Sequence, residues 1–162
     1  MSHNLQKITD VPYTSHELFS KNHIKSTQII DKIKHNKIQE ILEGLVYIKD
    51  NNMIIEPKYL KYFGSVHTYD IIVNYIDHNM SSLTCKYDRI NMHINLQSIS
   101  IVDFEKHVHF CKYLTAIFSE KYPERLNKWY IYNVSLIFEA IFSAVKHFID
   151  KVTLNKITQV KE

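Results

Sequence analysis

The sequence is short of glycine and proline. Its 162 residues include two glycines and three prolines. Glycine-rich loops that wrap a phosphate in bare backbone are therefore excluded almost by count, and neither a P-loop nor a dinucleotide-binding fingerprint is present. Arginine occurs only at positions 89 and 125, the other basic residues being lysines scattered along the chain. At a formal net charge of +3, that scatter permits attraction to anionic partners but builds none of the familiar nucleic-acid motifs, so no nucleic-acid partner is expected. Cys85 and Cys111 have no short metal-ligand spacing and read as two buried free thiols in a reducing compartment. No segment approaches the roughly 20 apolar residues that span a bilayer, and residues 1–16 lack the apolar run of a signal peptide. A cytoplasmic protein is expected, meeting membranes only peripherally and transiently.

What the chain does have is apolar residues, 45% against 23% charged, a balance that fits one globular domain at this length. From 18 to 45 the residues Ile24, Ile29, Ile33, Ile38, Ile41, Leu42 and Leu45 recur mostly at three to five positions, which predicts one or two amphipathic helices with a break near 35–37. Two short β-rich runs then flank Asp50, Asn51 and Asn52, a hairpin signal. Residues 56–64 read as a loop or a short helix stop, 65–80 as a helix and 90–96 as a strand. A longer helix spans 102–122, started by Ser100 or Asp103 and stopped by Pro123. Residues 129–134, dense in aromatic and branched side chains, read as a buried strand. Ser135 can cap a helix over 136–148, and Thr153 is a second cap before the chain runs out. This succession predicts an α/β domain, its mostly parallel sheet joined by crossover helices, with ligand groups beyond the strand C-termini.

The stretch SLIFEAIFSAVKHFI, residues 135–149, is apolar on more than one face. Leu136, Ile137, Ala140, Ile141, Ala144, Val145, Phe148 and Ile149 already make a wide stripe, and Phe138 and Phe142 widen it further. A surface helix needs one apolar stripe. The rest has to be buried in the core, in a partner, in a membrane surface or against an apolar ligand, and periodicity does not separate these. Other chemistry is sparse. His107 and His109 lie two apart on a helix and point differently, so the ten histidines imply no metal site. His93, inside a strand, faces either core or cavity. No nucleophile, base and orienting residue assemble by spacing, so neither an enzyme nor a cofactor is expected.

The run YPERLNKWYIYNVSLIFEAIFSAVKHFIDKVTLNKI, residues 122–157, resembles the lipid-binding domain of the Sec14-like (CRAL-TRIO) family. It reproduces that family's turn at Tyr122, Pro123 and Glu124, and a strand ending at Asn133. After a gate helix come a turn at Phe148, Ile149 and Asp150 and a Thr-x-x-Lys-Ile start at Thr153, Lys156 and Ile157. Upstream, IKDNNMIIE is similar to the family's hairpin, and INLQSISI to its strand exit, with Asn95 and Ser98 in place of aspartate and glycine. The resemblance implies a short N-terminal helical region, residues 1–44, before a CRAL-TRIO-like domain, residues 45–162, whose apolar cavity is closed by the gate helix.

It implies further that the protein binds phosphatidylinositol and moves it between membranes, the headgroup meeting Glu124, Thr153 and Lys156, with Asp150 holding the adjacent turn. Phe138, Ile141, Phe142 and Val145 would line the cavity and gate. Ser100 matches a position near the phosphate in phosphatidylcholine-binding relatives, although a helix cap explains it as well. Arg125 and Lys128 either face an anionic membrane, at about 1 kcal/mol each, or are ordinary solvated charges. A carrier of phosphatidylcholine, a sterol or an isoprenoid-like molecule, or a protein-interaction module docking through the gate helix, stays open beside this reading. A homodimer would cover an unpaired sheet edge or an exposed gate helix.

Overall fold

The computed structural model describes residues 13–19, 25–134, 136 and 138–160. The two helices expected between residues 18 and 45 are α2 (Ser26–Lys34) and α3 (Ile38–Leu45), and a short helix not expected there, α1 (Ser15–Phe19), precedes them. The break between α2 and α3 falls where expected, at Asn36, whose φ of 55° suits asparagine better than most side chains; Ile24 lies outside the described residues. Next comes a hairpin, β1 (Val46–Lys49) and β2 (Asn52–Ile55), with Lys49 paired to Asn52 across Asp50 and Asn51. Asp50 holds a φ of 53°, the left-handed turn conformation that a short polar side chain tolerates.

The stretch read as a loop or helix stop is a helix, α4 (Pro57–Phe63), which begins on proline because a first helical residue needs no free N–H. Gly44 of α3 faces it, and a Cβ there would collide with the Tyr59 ring, so the α3–α4 approach requires glycine. The chain continues through α5 (Tyr69–Lys86), β3 (Ile90–Asn95), α6 (Ile101–Lys121), β4 (Leu126–Tyr132), α7 (Phe138–Val145) and α8 (Lys151–Leu154) to β5 (Ile157–Gln159). The last strand was not expected. Its three residues are too few to show alternation, and only the β4 edge turns them into a strand.

The five strands lie side by side in chain order, β1 antiparallel to β2 and all later neighbours parallel. Each parallel crossover steps the same way, so right-handed connections bring their helices to one face. On that face Val46, Met53 and Ile90 join Ile29, Ile41, Leu45, Ile72, Ile76, Met80 and Phe110 in the main core. Tyr47, Ile54, Tyr130 and Tyr132 point the other way, where α1 covers them with Leu18 and Phe19. Phe19 meets Tyr132 edge-on at 5.2 Å, Tyr13 meets His93 at 5.9 Å, and the Tyr47 hydroxyl donates to the Leu18 carbonyl. Of the two cysteines expected to be buried, Cys85 is exposed near the end of α5, while Cys111 is half-buried on α6, where burial pushes its thiol up to about 11.

This second face is polar as well as buried. Asn127 Nδ2 donates to Asn91 Oδ1 (3.0 Å), and Asn91 Nδ2 to Asn52 Oδ1 (3.3 Å). His93 bridges Asn52 Oδ1 and the Tyr132 hydroxyl at 2.8 Å each. An amide oxygen only accepts, so His93 carries its proton on Nε2 and accepts from Tyr132 at Nδ1. A second chain runs from Asn133 Nδ2 to Asn95 Oδ1 (2.7 Å) and from Asn95 Nδ2 to Glu56 Oε2 (3.0 Å). His93 thus belongs to a satisfied core network. Burial pushes its pKa down to about 4. Burial also pushes the Glu56 carboxyl up to about 7, against the Asn95 hydrogen bond and the Lys58 charge.

Arg125 closes another gap. Its Nε donates to the Asp88 carbonyl (2.8 Å) and its Nη2 to the carbonyls of Thr84 (2.6 Å) and Tyr87 (3.0 Å). The Thr84 carbonyl is one that the last turn of α5 leaves without a helical partner, and those of Tyr87 and Asp88 lie just past the helix end. The membrane-facing role expected of Arg125 is therefore not what its side chain does here, since the guanidinium is turned inward onto backbone.

Two predictions follow from these contacts. Glu56, raised from 4.5, contributes stability that is present below pH 4.5 and lost as pH rises through about 7. His93, lowered from 6.5, contributes stability that is present above pH 6.5 and lost as pH falls through about 4. Between pH 4.5 and 6.5 the two oppose each other. Relative to the native chain, Glu56→Gln should make stability climb with pH in that window and His93→Gln should make it fall, each by up to about 1.4 kcal/mol per pH unit. Urea denaturation across the window checks this, and variant profiles parallel to the native one would refute it. Arg125→Ala should cost about 1–3 kcal/mol of stability, and Arg125→Lys should recover little of it because a single ammonium cannot span three divergent carbonyls; equal stability of the lysine variant and the native chain would count against the staple.

Candidate functional site

Arg89, Glu124 and Lys156 occupy equivalent places, one or two residues before β3, β4 and β5. Because those strands are parallel, their starts share one edge of the sheet. The polar residues expected to meet a headgroup therefore lie at the N-terminal strand edge, not beyond the C-termini. The reason is that they belong to the segments returning from the crossover helices.

The Glu124 turn is pinned on both sides. Before it, Tyr122 donates to Asp77 Oδ1 and Lys121 Nζ to Asp77 Oδ2, each at 2.6 Å, tying the end of α6 to α5. After it, Arg125 is held as described. Glu124 itself has a φ of 59° and an exposed side chain at the tip of the turn.

Lys156 is half-buried, with Nζ donating to the Leu126 carbonyl at 2.6 Å. Burial, then repulsion from Arg89, lowers its pKa, while Asp150 and Glu124 act the other way. Two cations and two carboxylates thus gather at this end of the sheet, with β4 between the strands that Arg89 and Lys156 precede. Thr153 is the third residue of α8 and not its cap. Asp150 is the cap, accepting from Thr153 N (2.8 Å) and Thr153 Oγ1 (2.9 Å), and the backbone hydrogen bond first, then the hydroxyl's, hold the Asp150 carboxyl below its usual pKa. The amide and hydroxyl that the spacing offers to a phosphate are engaged by Asp150 in this structure. Lys128 is exposed on β4, on the side of Tyr130 and Tyr132.

Apolar residues continue inward from this edge. Met92 packs against the main core and pairs with Trp129, so Trp129 and Ile131 face the helices. Ile131, Phe138 and Ile141 are buried, yet belong to neither core cluster. Phe142 and Val145 are half-buried, and Phe142 stacks on Phe138 with centroids 5.6 Å apart. Lys112 of α6 lies 5.8 Å over the Phe148 ring, placing the end of this segment beside α6. Leu136, expected in the helix stripe, is 99% exposed because α7 begins only at Phe138; Ser135, the expected cap, and Ile137 lie outside the described residues. Ser100 is exposed and caps α6, exchanging hydrogen bonds with Asp103, which also pairs with Lys61 at 3.3 Å.

Sequence reading missed Arg89 as part of this cluster. A basic residue directly before a strand, twice in one parallel sheet, is the signal that could have found Arg89. Among the described residues, no group of three or more His, Cys, Asp and Glu side chains is placed to hold a metal, and no helix is long and apolar enough to cross a membrane.

Residues 30–162 match the CRAL/TRIO domain. The SEC14 cytosolic factor of Yarrowia lipolytica is 34% identical over 64 residues, 40% of this chain and 13% of that protein. The Sec14 cytosolic factor of Schizosaccharomyces pombe is 28% identical over 64 residues, again 40% of this chain but 22% of that one. The crystal structure of Sfh5 superposes with a TM-score of 0.61 at 17% identity, covering 82% of this chain and 57% of Sfh5, a likeness of fold. The chain spans 13% and 22% of the two Sec14 factors and 57% of Sfh5, less than two thirds of each. With the family match extending over most of its length and the expected parallel sheet and crossover helices in place, the chain belongs to the CRAL/TRIO domain family.

Proposed function

We propose that this protein holds one phosphatidylinositol molecule between the sheet and α6–α7 and carries it from one membrane to another. The observation that carries the reading is the gathering of Arg89, Glu124 and Lys156 at the starts of three successive parallel strands, beside apolar side chains that are buried but belong to neither core. A phosphate at this end of the sheet would meet two cations, Arg89 and Lys156, and accept charge-assisted hydrogen bonds from them. Glu124, exposed at the tip of a pinned turn, accepts from inositol hydroxyls, which a phosphate alone would not require. Thr153 adds a hydroxyl once it exchanges Asp150 for the ligand. Acyl chains then run past Ile131 toward Phe138, Ile141, Phe142 and Val145, and α7 acts as the gate. Lys128 remains available to an anionic membrane surface.

Lipid that stays with the protein through native purification from a eukaryotic extract, identified by mass spectrometry, is the direct test. Phosphatidylinositol near one molecule per chain is the expected result. Glu124→Ala with Lys156→Ala should then lower extraction of phosphatidylinositol from vesicles by about ten- to hundredfold, the scale of losing a charge-assisted hydrogen bond, in a chain that stays folded although it loses the Lys156–Leu126 hydrogen bond. Undiminished extraction by the double variant would overturn the headgroup assignment. Persistent loading with a lipid lacking a headgroup would reassign the ligand, and failure to take up any lipid from mixed vesicles would overturn the carrier reading.

A further inference from the structure

Along the helix-facing side of β4 the chemistry changes in order. At the strand start, the Leu126 carbonyl accepts from Lys156 Nζ. Trp129 comes next, its backbone N–H donating to the Lys156 carbonyl at 3.0 Å, so it lies immediately inside the charged cluster. Ile131 follows about 7 Å further along the strand, the first of the buried apolar residues outside both cores. A two-chain lipid has the same sequence of parts: a charged headgroup, then a pair of ester carbonyls at the glycerol, then hydrocarbon.

Trp129 carries an unsatisfied group at that middle position. Its Nε1 is shielded from solvent and meets no hydrogen-bond acceptor among the described residues. An indole nitrogen is a donor only, and a buried tryptophan normally places its N–H on a partner, because an unmade buried hydrogen bond is costly. Phenylalanine would fill the same strand position without that cost. The other described orphan, His107 Nε2, sits on a ring whose Nδ1 already meets the Tyr69 hydroxyl at 2.6 Å, away from the strand starts.

We infer that Trp129 is a specificity-determining residue, its indole N–H donating to an ester carbonyl oxygen of the bound lipid where headgroup and acyl chains join. This rests on the carrier reading above and deepens it. The site then selects acyl-linked over ether-linked lipids, since an ether retains the shape and the hydrocarbon but has no carbonyl to accept the bond.

Trp129 is the only tryptophan in the chain, so a proton–nitrogen correlation spectrum of the full chain contains one indole signal. The probes are vesicles carrying diacyl phosphatidylinositol or its dialkyl ether analogue. Loading with the diacyl lipid should move the indole proton downfield, loading with the ether analogue should not, and the native chain should extract the diacyl form about three- to tenfold better. Trp129→Phe should abolish that preference while still extracting both lipids. An indole signal in the same place with either lipid, or equal extraction of the two by the native chain, overturns the carbonyl contact and leaves the carrier reading standing. Extraction of neither lipid removes the carrier reading and this inference with it.

Discussion

Parallel pairing of β2, β3, β4 and β5 is the constraint on which everything else depends. Parallel neighbours cannot be joined by a tight turn, so each pair needs a crossover of a dozen or more residues. With every crossover stepping the same way and keeping the same hand, the helices gather on one face. The same geometry aligns the strand starts, and it alone brings Arg89, Glu124 and Lys156 to one edge although they are spread over more than sixty residues. β1, antiparallel at one end, needs only the two-residue Asp50–Asn51 turn.

The two faces of the sheet meet different demands. The helix face is apolar and continuous through Met53 and Ile90, then passes into Trp129 and Ile131 beside α7. The opposite face buries asparagines, a histidine and a glutamate beneath a five-residue helix, which is costly unless every group finds a partner. It works because cross-strand neighbours are themselves polar: Asn91 between Asn52 and Asn127, Asn95 between Glu56 and Asn133. A one-residue slip of β3 would turn His93 and Asn95 into the apolar core and break these chains, so the network also specifies register. Its His93 and Glu56 carry perturbations of opposite sign, and the hydrogen-bond partners that satisfy them are asparagine amides and a tyrosine hydroxyl.

The charged edge divides its labour between groups that hold the fold and groups left for a ligand. Arg125 and Asp150 are consumed by backbone, one at the end of α5 and the other at the start of α8. Lys121 and Tyr122 are consumed by Asp77. These bonds stiffen the segments that carry Glu124 and Lys156, so an exposed carboxylate stands at a fixed position on a turn and a half-buried ammonium at a strand start. Rigid support of this kind lowers the entropy lost when a ligand is gripped.

How much of this was legible follows from how local each cause is. Helix periodicity in residues 26–45, the Asp50–Asn51 turn, Pro123 as the stop of α6 and the Ser100–Asp103 cap are local, and the chain itself determined them. So did the match to the CRAL/TRIO pattern over residues 122–157, since spaced residues such as Glu124, Thr153 and Lys156 survive as a motif. Tertiary structure decided what no window of sequence contains. It made β5 a strand by offering it an edge, turned Arg125 inward because α5 happened to end beneath it, gave the cap of α8 to Asp150 instead of Thr153, and added Arg89 to the cluster. The physical reason is the same in each case: propensity and patterning act between neighbours in the chain, whereas hydrogen bonds and charge respond to neighbours in space, which only the packed sheet supplies.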